Sequence, residues 1–108
     1  MPMQSIIFET LADPSRRRIV EVLRAGELPV GDVVDRLAIH QSGVSRHLRI
    51  LADAGFVRAR PDGARRLYAL RPEPFRELDA WVGRFRGAWE ARLDRFGAAL
   101  ERQRKERR

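Results

Sequence analysis

The sequence contains no cysteine. That excludes disulfides, thiolate nucleophiles, cysteine-based zinc sites and iron–sulfur clusters. No apolar run approaches the ~18–20 residues that span a bilayer, so no membrane partner is expected. Residues 1–10 lack a basic region followed by a long apolar one. No secretory signal is therefore expected, and the expected location is the cytoplasm. Internal repeats and low-complexity linkers are also missing. Hydrophobic residues make up 44% of the chain, which permits a modest core and argues against wholesale disorder. The 108 residues, 12.5 kDa, suit one domain with a helical extension. So short a chain buries a limited share of its surface, and a second copy is an expected partner.

Acidic residues are scarce in one region. The net charge is +7. Residues 1–40 and residues 72–101 each carry five basic and six acidic side chains. Residues 41–71 carry Arg46, Arg49, Arg58, Arg60, Arg65, Arg66 and Arg71 against only Asp53 and Asp62. Residues 102–108 add five basic groups and one acidic. A solvated surface intersperses its signs, whereas a polyanion-binding surface segregates them. Codon bias accounts for Arg over Lys but not for the missing acids. Every basic residue of the central block is Arg, the side chain suited to bidentate contact with phosphate or guanine.

Periodicity predicts five helices and a hairpin. Residues 4–12 read as a short helix with Ile6, Ile7 and Leu11 apolar. Asp13 suits an N-cap and Pro14 the first turn of a second helix over 14–25, with Ile19, Val22 and Leu23 inward and Gly26 as its stop. A third helix over 30–37 places Val30, Val33, Val34 and Leu37 on one side. After the tight connection Ala38-Ile39-His40, a fourth helix over 41–54 turns Val44, Leu48 and Leu51 inward. Residues 56–70 then alternate about a Pro61-Asp62-Gly63 turn, a β-hairpin signature. The last helix, 73–103, extends about 45 Å at ~1.5 Å per residue. Phe75, Leu78, Val82, Phe85, Trp89, Leu93, Phe96 and Leu100 form one continuous apolar seam along it. Helix packing explains such a seam better than an aromatic cofactor pocket, and no cofactor is expected. A small domain does not cover a seam of that length, so Ile6, Ile7, Phe75, Leu78, Val82, Phe85, Trp89, Leu93 and Phe96 are the expected dimer contacts.

The predicted fold is mostly α with a β-hairpin wing: a winged helix-turn-helix with a long C-terminal dimerisation helix. It forms a single domain over 1–108, with a DNA-binding core at 4–71, the wing at 56–70, the long helix at 73–103 and a basic tail at 104–108. A helix fits the major groove of B-DNA if one face is held against a core and the other is polar. The fourth helix meets both conditions, with Ser42, Ser45, Arg46 and Arg49 at i, i+3, i+4 and i+7 opposite the apolar stripe. Gln41 lies near the helix N-terminus, where base edges are usually reached. The hairpin supplies Arg58, Arg60, Arg65 and Arg66 for the phosphate backbone or the minor groove. Ser15, Arg16 and Arg17 open the second helix and are placed to hold a phosphate. His47 lies beside the apolar stripe and reads as hydrogen-bonded to a phosphate or to the backbone. The expected surface is one contiguous cationic ridge over 41–71, doubled by a twofold axis.

Residues 11–20 (LADPSRRRIV), 41–55 (QSGVSRHLRILADAG) and 62–70 (DGARRLYAL) together resemble the ArsR (arsenical-resistance repressor) family of bacterial winged-helix regulators. The resemblance covers roughly residues 5–100. It implies a homodimer on an inverted-repeat operator in double-stranded DNA, usually a repressor released by an effector, here an unidentified small-molecule inducer. It assigns DNA contact to Gln41, Ser42, Ser45, Arg46, His47 and Arg49 on the recognition helix and to Arg65 and Arg66 in the wing. Metal-sensing members carry Glu-Leu-Cys-Val-Cys-Asp entering the third helix. Here residues 27–32 read ELPVGD, with Pro29 and Gly31 at the cysteine positions. The last helix has Asp79, Glu90 and Asp94 but no His. The resemblance therefore implies the non-metal-sensing branch and no metal site.

Catalysis is not expected. No glycine-flanked nucleophile elbow surrounds Ser42 or Ser45, and His40 and His47 lack helix-spaced ligand partners. Two alternatives stand beside this reading: a winged-helix protein-interaction module, which would need apolar anchors where this chain carries Arg and Ser, and a metal-responsive repressor with a non-cysteine site between subunits.

Overall fold

A computed structural model describes residues 3–107. The order of elements is α1 (Met3–Leu11), α2 (Pro14–Leu23), β1 (Leu28–Pro29), α3 (Val30–Leu37), α4 (Gln41–Asp53), β2 (Val57–Asp62), β3 (Arg65–Leu70) and α5 (Glu73–Glu106). The chain divides after Glu77 into two compact units. The first holds α1 to α4, the sheet and the opening turn of α5; the second is the remainder of α5. Pro74 is buried, and the Phe75 ring meets Phe56 edge-on at 5.6 Å, so the first turn of α5 belongs to the core.

The helices start where local chemistry allows. Asp13 caps α2, its Oδ1 accepting the Ser15 N–H at 3.2 Å, and Pro14 occupies the first turn, where its missing N–H costs nothing. His40 caps α4 by accepting the Ser42 N–H at 3.3 Å through Nδ1. Between the two helices of the helix-turn-helix, Ala38 adopts φ 54° and ψ 32°. It is the one non-glycine residue among those described with positive φ. Thr10 is buried in α1, and its hydroxyl donates to the Ile6 carbonyl at 2.7 Å.

The core gathers one face of each element: Ile7, Ile19, Leu23, Val33, Val44, Leu48, Leu51, Phe56, Val57 and Leu67. All three inward residues expected on α4 are fully buried. Of the four expected on α3, Val33 alone is; Val30, Val34 and Leu37 are half-buried.

The sheet has three antiparallel strands in the order β1-β3-β2. The two-residue strand β1, which pairs Leu28 with Tyr68 and Pro29 with Leu67, has no periodicity and was not expected. Its Pro29 is tolerated because β1 is an edge strand. The hairpin turns at Gly63-Ala64 rather than at Pro-Asp-Gly, because β2 runs through Pro61 and Asp62, which pair with Arg66 and Arg65. Gly63 has φ 61°, and positive φ at the first loop residue alone is what a type II′ turn requires. The Phe56 N–H donates to the Leu51 carbonyl and the Arg71 N–H to the Phe56 carbonyl, both at 2.8 Å, so the wing is tied directly to the end of α4. The last helix continues to Glu106, three residues past its expected end. The tail residues 104–106 are therefore helical, and Arg108 lies outside the described residues. Among the described residues no helix is long and apolar enough to cross a membrane.

The left-handed turn at Ala38 yields the first prediction. An L-residue there costs ~1–2 kcal/mol, against ~0.5–1 kcal/mol for the extra chain freedom of glycine. Ala38→Gly should stabilise the fold by up to about 1 kcal/mol, read as a raised denaturant midpoint at unchanged slope.

Candidate nucleic-acid interface

The site is built on α4. Its buried stripe leaves Gln41, Ser42, Ser45, Arg46 and Arg49 exposed on the remaining surface. Among the described residues no ion pair engages Arg46, Arg49 or Arg66. Ser42 lies in the first turn, its hydroxyl 2.9 Å from His40 Nδ1. Ser45, Arg65, Arg66 and Tyr68 share a cleft of about 430 Å³ with the N-terminal turn of α3, including Pro29 and Asp32. Residues of α4 and of the hairpin thus line one cleft, with Arg65 and Arg66 at the hairpin end of it.

The rest of the predicted cationic ridge is divided. The register pairs Arg58 with Ala69, Arg60 with Leu67 and Asp62 with Arg65, which puts Arg58, Arg60 and Arg65 on one face of the hairpin. Arg66, paired with Pro61, lies on the other face with Tyr68. Arg60 is held bidentately by Glu27, with its Nε at 2.9 Å from Glu27 Oε2. That contact holds the Glu27 carboxyl below the usual carboxylate range, with Arg58 adding to the pull, and raises Arg60 in return. Arg65 Nη2 lies 3.1 Å from Asp62 Oδ2 at the hairpin tip. The single ridge expected from sequence is corrected to two faces, because residues adjacent on a strand point in opposite directions.

A second correction concerns α2. Arg16 donates from Nε to the Thr10 carbonyl at 2.7 Å and from Nη2 to the Glu9 carbonyl at 3.3 Å. Arg17 Nη1 donates to the Leu11 carbonyl at 2.6 Å and the Ala12 carbonyl at 3.1 Å. Both arginines close the C-terminal end of α1, where carbonyls lack helical partners. The Ser15 backbone N–H is committed to Asp13. This end of α2 is occupied by the protein itself. His47 is also set apart from the exposed row: its ring turns toward Asp13, with Nδ1 3.3 Å from Asp13 Oδ2.

On α5, the seam from Val82 onward lies open. Val82, Phe85, Trp89, Leu93, Phe96 and Leu100 are all exposed, with Leu93 at 64%. Trp81 and Phe85 pack at 4.9 Å between centroids, and the Arg92 guanidinium lies over the Trp89 ring. Leu78 is half-buried. One of the expected dimer contacts is corrected: Ile7 is 1% exposed within one chain and has no surface to offer a second copy. Phe75 is half-buried, with its ring against Phe56. Ile6 is half-buried. The neighbouring Phe8, which sequence reasoning passed over, is exposed.

Comparison with known proteins decides the family. Residues 11–60 match the model of a helix-turn-helix domain. The chain is 36% identical over 94 residues to the HTH-type transcriptional regulator Rv2034 of Mycobacterium tuberculosis, covering 87% of this chain and 85% of that protein. The crystal structure of an ArsR family transcriptional regulator, RHA00566, superposes with a TM-score of 0.73 at 29% identity, over 82% of this chain and 98% of that one. The chain belongs to the ArsR family of winged helix-turn-helix transcriptional regulators. The homodimeric winged helix-turn-helix DNA-binding domain Mb0332 of Mycobacterium bovis has a TM-score of 0.65 at 27% identity, covering 75% of each chain. The transcriptional repressor SdpR of Bacillus subtilis is 28% identical, covering 73% of this chain and 88% of that protein. This ArsR-family protein is a DNA-binding transcription regulator.

The Glu27–Arg60 clasp generates a prediction for the ArsR-family interface. A depressed carboxyl contributes its interaction above the unfolded-state value and loses it as pH falls through the folded one. The clasp is therefore closed at neutral pH and opens in acid. Glu27→Gln should free Arg60 at neutral pH, raise affinity for duplex DNA of any sequence, and steepen the dependence of log affinity on log salt by about 1. An unchanged salt slope, measured by fluorescence anisotropy, would show that Arg60 does not face a phosphate.

Proposed function

We propose that the protein is a homodimeric repressor that binds an inverted-repeat operator through α4 and the wing. The observation that carries this reading is the division of α4: Val44, Leu48 and Leu51 have no exposed surface, while Gln41, Ser42, Ser45, Arg46 and Arg49 are all exposed. Gln41 and Arg46 read base edges, Gln suiting adenine and Arg suiting guanine. Ser42, Ser45, Arg49, Arg65 and Arg66 hold phosphates and set the register.

The open seam of α5 is the contact between copies. Large apolar side chains in a row are covered in a soluble assembly, and each is worth about 1.5–3 kcal/mol when fully buried. Twofold pairing sets the two recognition helices about 34 Å apart, one turn of B-DNA. The repressor role draws support from SdpR, whose name states it. Pro29 and Gly31 offer no side-chain ligand where metal-sensing members carry cysteine, which favours the non-metal-sensing branch. Release then falls to a small molecule that binds better to a dimer with misaligned recognition helices.

Four measurements test the reading. Operator affinity should fall about 10³–10⁵-fold between 50 and 200 mM salt if ~6–10 phosphates are engaged. Arg46→Ala should remove about 1–3 kcal/mol of base preference, whereas Arg66→Ala should weaken all sequences alike. Retained base preference in Arg46→Ala would displace the recognition face. Phe85→Glu should convert the dimer to monomer in sedimentation velocity; a persistent dimer would move the interface off α5. DNA binding in chelator, unaltered by added divalent metals, is expected, and a metal-dependent loss of binding would favour the metal-responsive alternative.

A further inference from the structure

His47 is the polar residue of α4 that the exposed DNA-facing row does not absorb. Its side chain is 22% exposed, and its Nδ1 is closed to solvent without a well-formed hydrogen bond. Asp13 Oδ2 lies 3.3 Å from that atom. A ring nitrogen facing a carboxylate oxygen at this distance favours the tautomer with hydrogen on Nδ1, because two lone pairs would repel. Asp13 meanwhile caps α2 through Oδ1, and its Oδ2 lies 3.4 Å from Arg16 Nη1. Arg16 is itself fastened to the Thr10 and Glu9 carbonyls. One polar line therefore runs from the C-terminal end of α1, through Arg16 and Asp13, to the middle of the recognition helix.

We propose that His47 is a positioning residue for DNA recognition: its Nδ1–H engages Asp13 and fixes where α4 lies against the start of α2. The inference rests on the reading of α4 as the recognition helix. The apolar stripe of α4 supplies adhesion, but burial of apolar surface is non-directional and tolerates small rotations or slides of a helix. Recognition of base edges needs side chains held to within about 0.5 Å. A directional contact on the flank of the helix provides that restraint. The N-cap is a firm anchor for it, since the carboxylate is already oriented by the Ser15 N–H and by Arg16.

Two substitutions separate this role from direct DNA contact. The amide nitrogen of Asn falls near the position of Nδ1, and that of Gln near the position of Nε2. Ser at position 13 keeps the N-cap but is too short to reach His47. The probes are a duplex selected from a random pool by the unaltered protein and a scrambled duplex of the same composition. His47→Gln and Asp13→Ser should each lower the ratio of selected to scrambled affinity about tenfold. The scrambled affinity should stay unchanged, and thermal unfolding should remain well above the assay temperature. His47→Asn should restore most of the ratio, and the double variant Asp13→Ser/His47→Gln should be no worse than either single. A ratio kept by His47→Gln, an equal loss in His47→Asn, or multiplicative losses in the double variant would each overturn the proposal. A DNA-independent readout accompanies these. The ¹⁵N spectrum of the unaltered protein should show Nδ1 of His47 protonated at neutral pH, and Asp13→Ser should move it toward the Nε2–H form. A bare Nδ1 in the unaltered protein overturns the contact whatever the DNA results. A protonated Nδ1 together with no selected duplex overturns instead the recognition reading, and the positioning role with it.

Discussion

Helix α4 is gripped on one side only. Everything else in the DNA-binding unit follows from that constraint. Val44, Leu48 and Leu51 sink into a core shared with Ile19 and Leu23 of α2 and Val33 of α3. The remaining surface of α4 carries the exposed Gln41, Ser45, Arg46 and Arg49. The wing is attached by backbone hydrogen bonds at Leu51 and Phe56, so its position relative to the recognition helix is set by the chain itself. The left-handed Ala38 and the His40 cap fix the angle and the start of α4. None of these features touches a ligand, yet each determines where Gln41, Ser45 and Arg46 stand.

Arginine serves three purposes in this chain, and its partners distinguish them. Arg16 and Arg17 neutralise the carbonyl end of α1 and are part of the scaffold. Arg60 and Arg65 are clasped by Glu27 and Asp62, so their charge is partly compensated before any DNA arrives. Arg46, Arg49 and Arg66 make no ion pair among the described residues and present full charge to solvent. Net charge gives the attraction toward a polyanion, but the free guanidinium groups give its direction.

The apolar seam of α5 shows a complementary logic. A helix whose large side chains step by three and four over more than six turns encodes a partner surface. Within a single chain that surface stays open from Val82 to Leu100. Only the opening turn is used at home, where Pro74 and Phe75 complete the core around Phe56. One helix thus carries two kinds of apolar residue, indistinguishable by spacing and separated by what lies beside them.

Local and periodic features were determined by the sequence alone: the five helices, the Asp13 cap, the buried face of α4, the hairpin and the family resemblance. Each depends on residues within a few positions of one another, and helical and strand periods project directly onto faces. The two-residue strand β1 was not legible, because its pairing with β3 is made across the chain and leaves no period. Nor was the complete burial of Ile7, or the division of the wing arginines between two faces. Glu27 is 33 residues from Arg60, and Asp13 is far in sequence from His47. Contacts of that range arise only when packing brings distant segments together. For that reason the tertiary structure alone decided which charges are paired within the protein and which remain free.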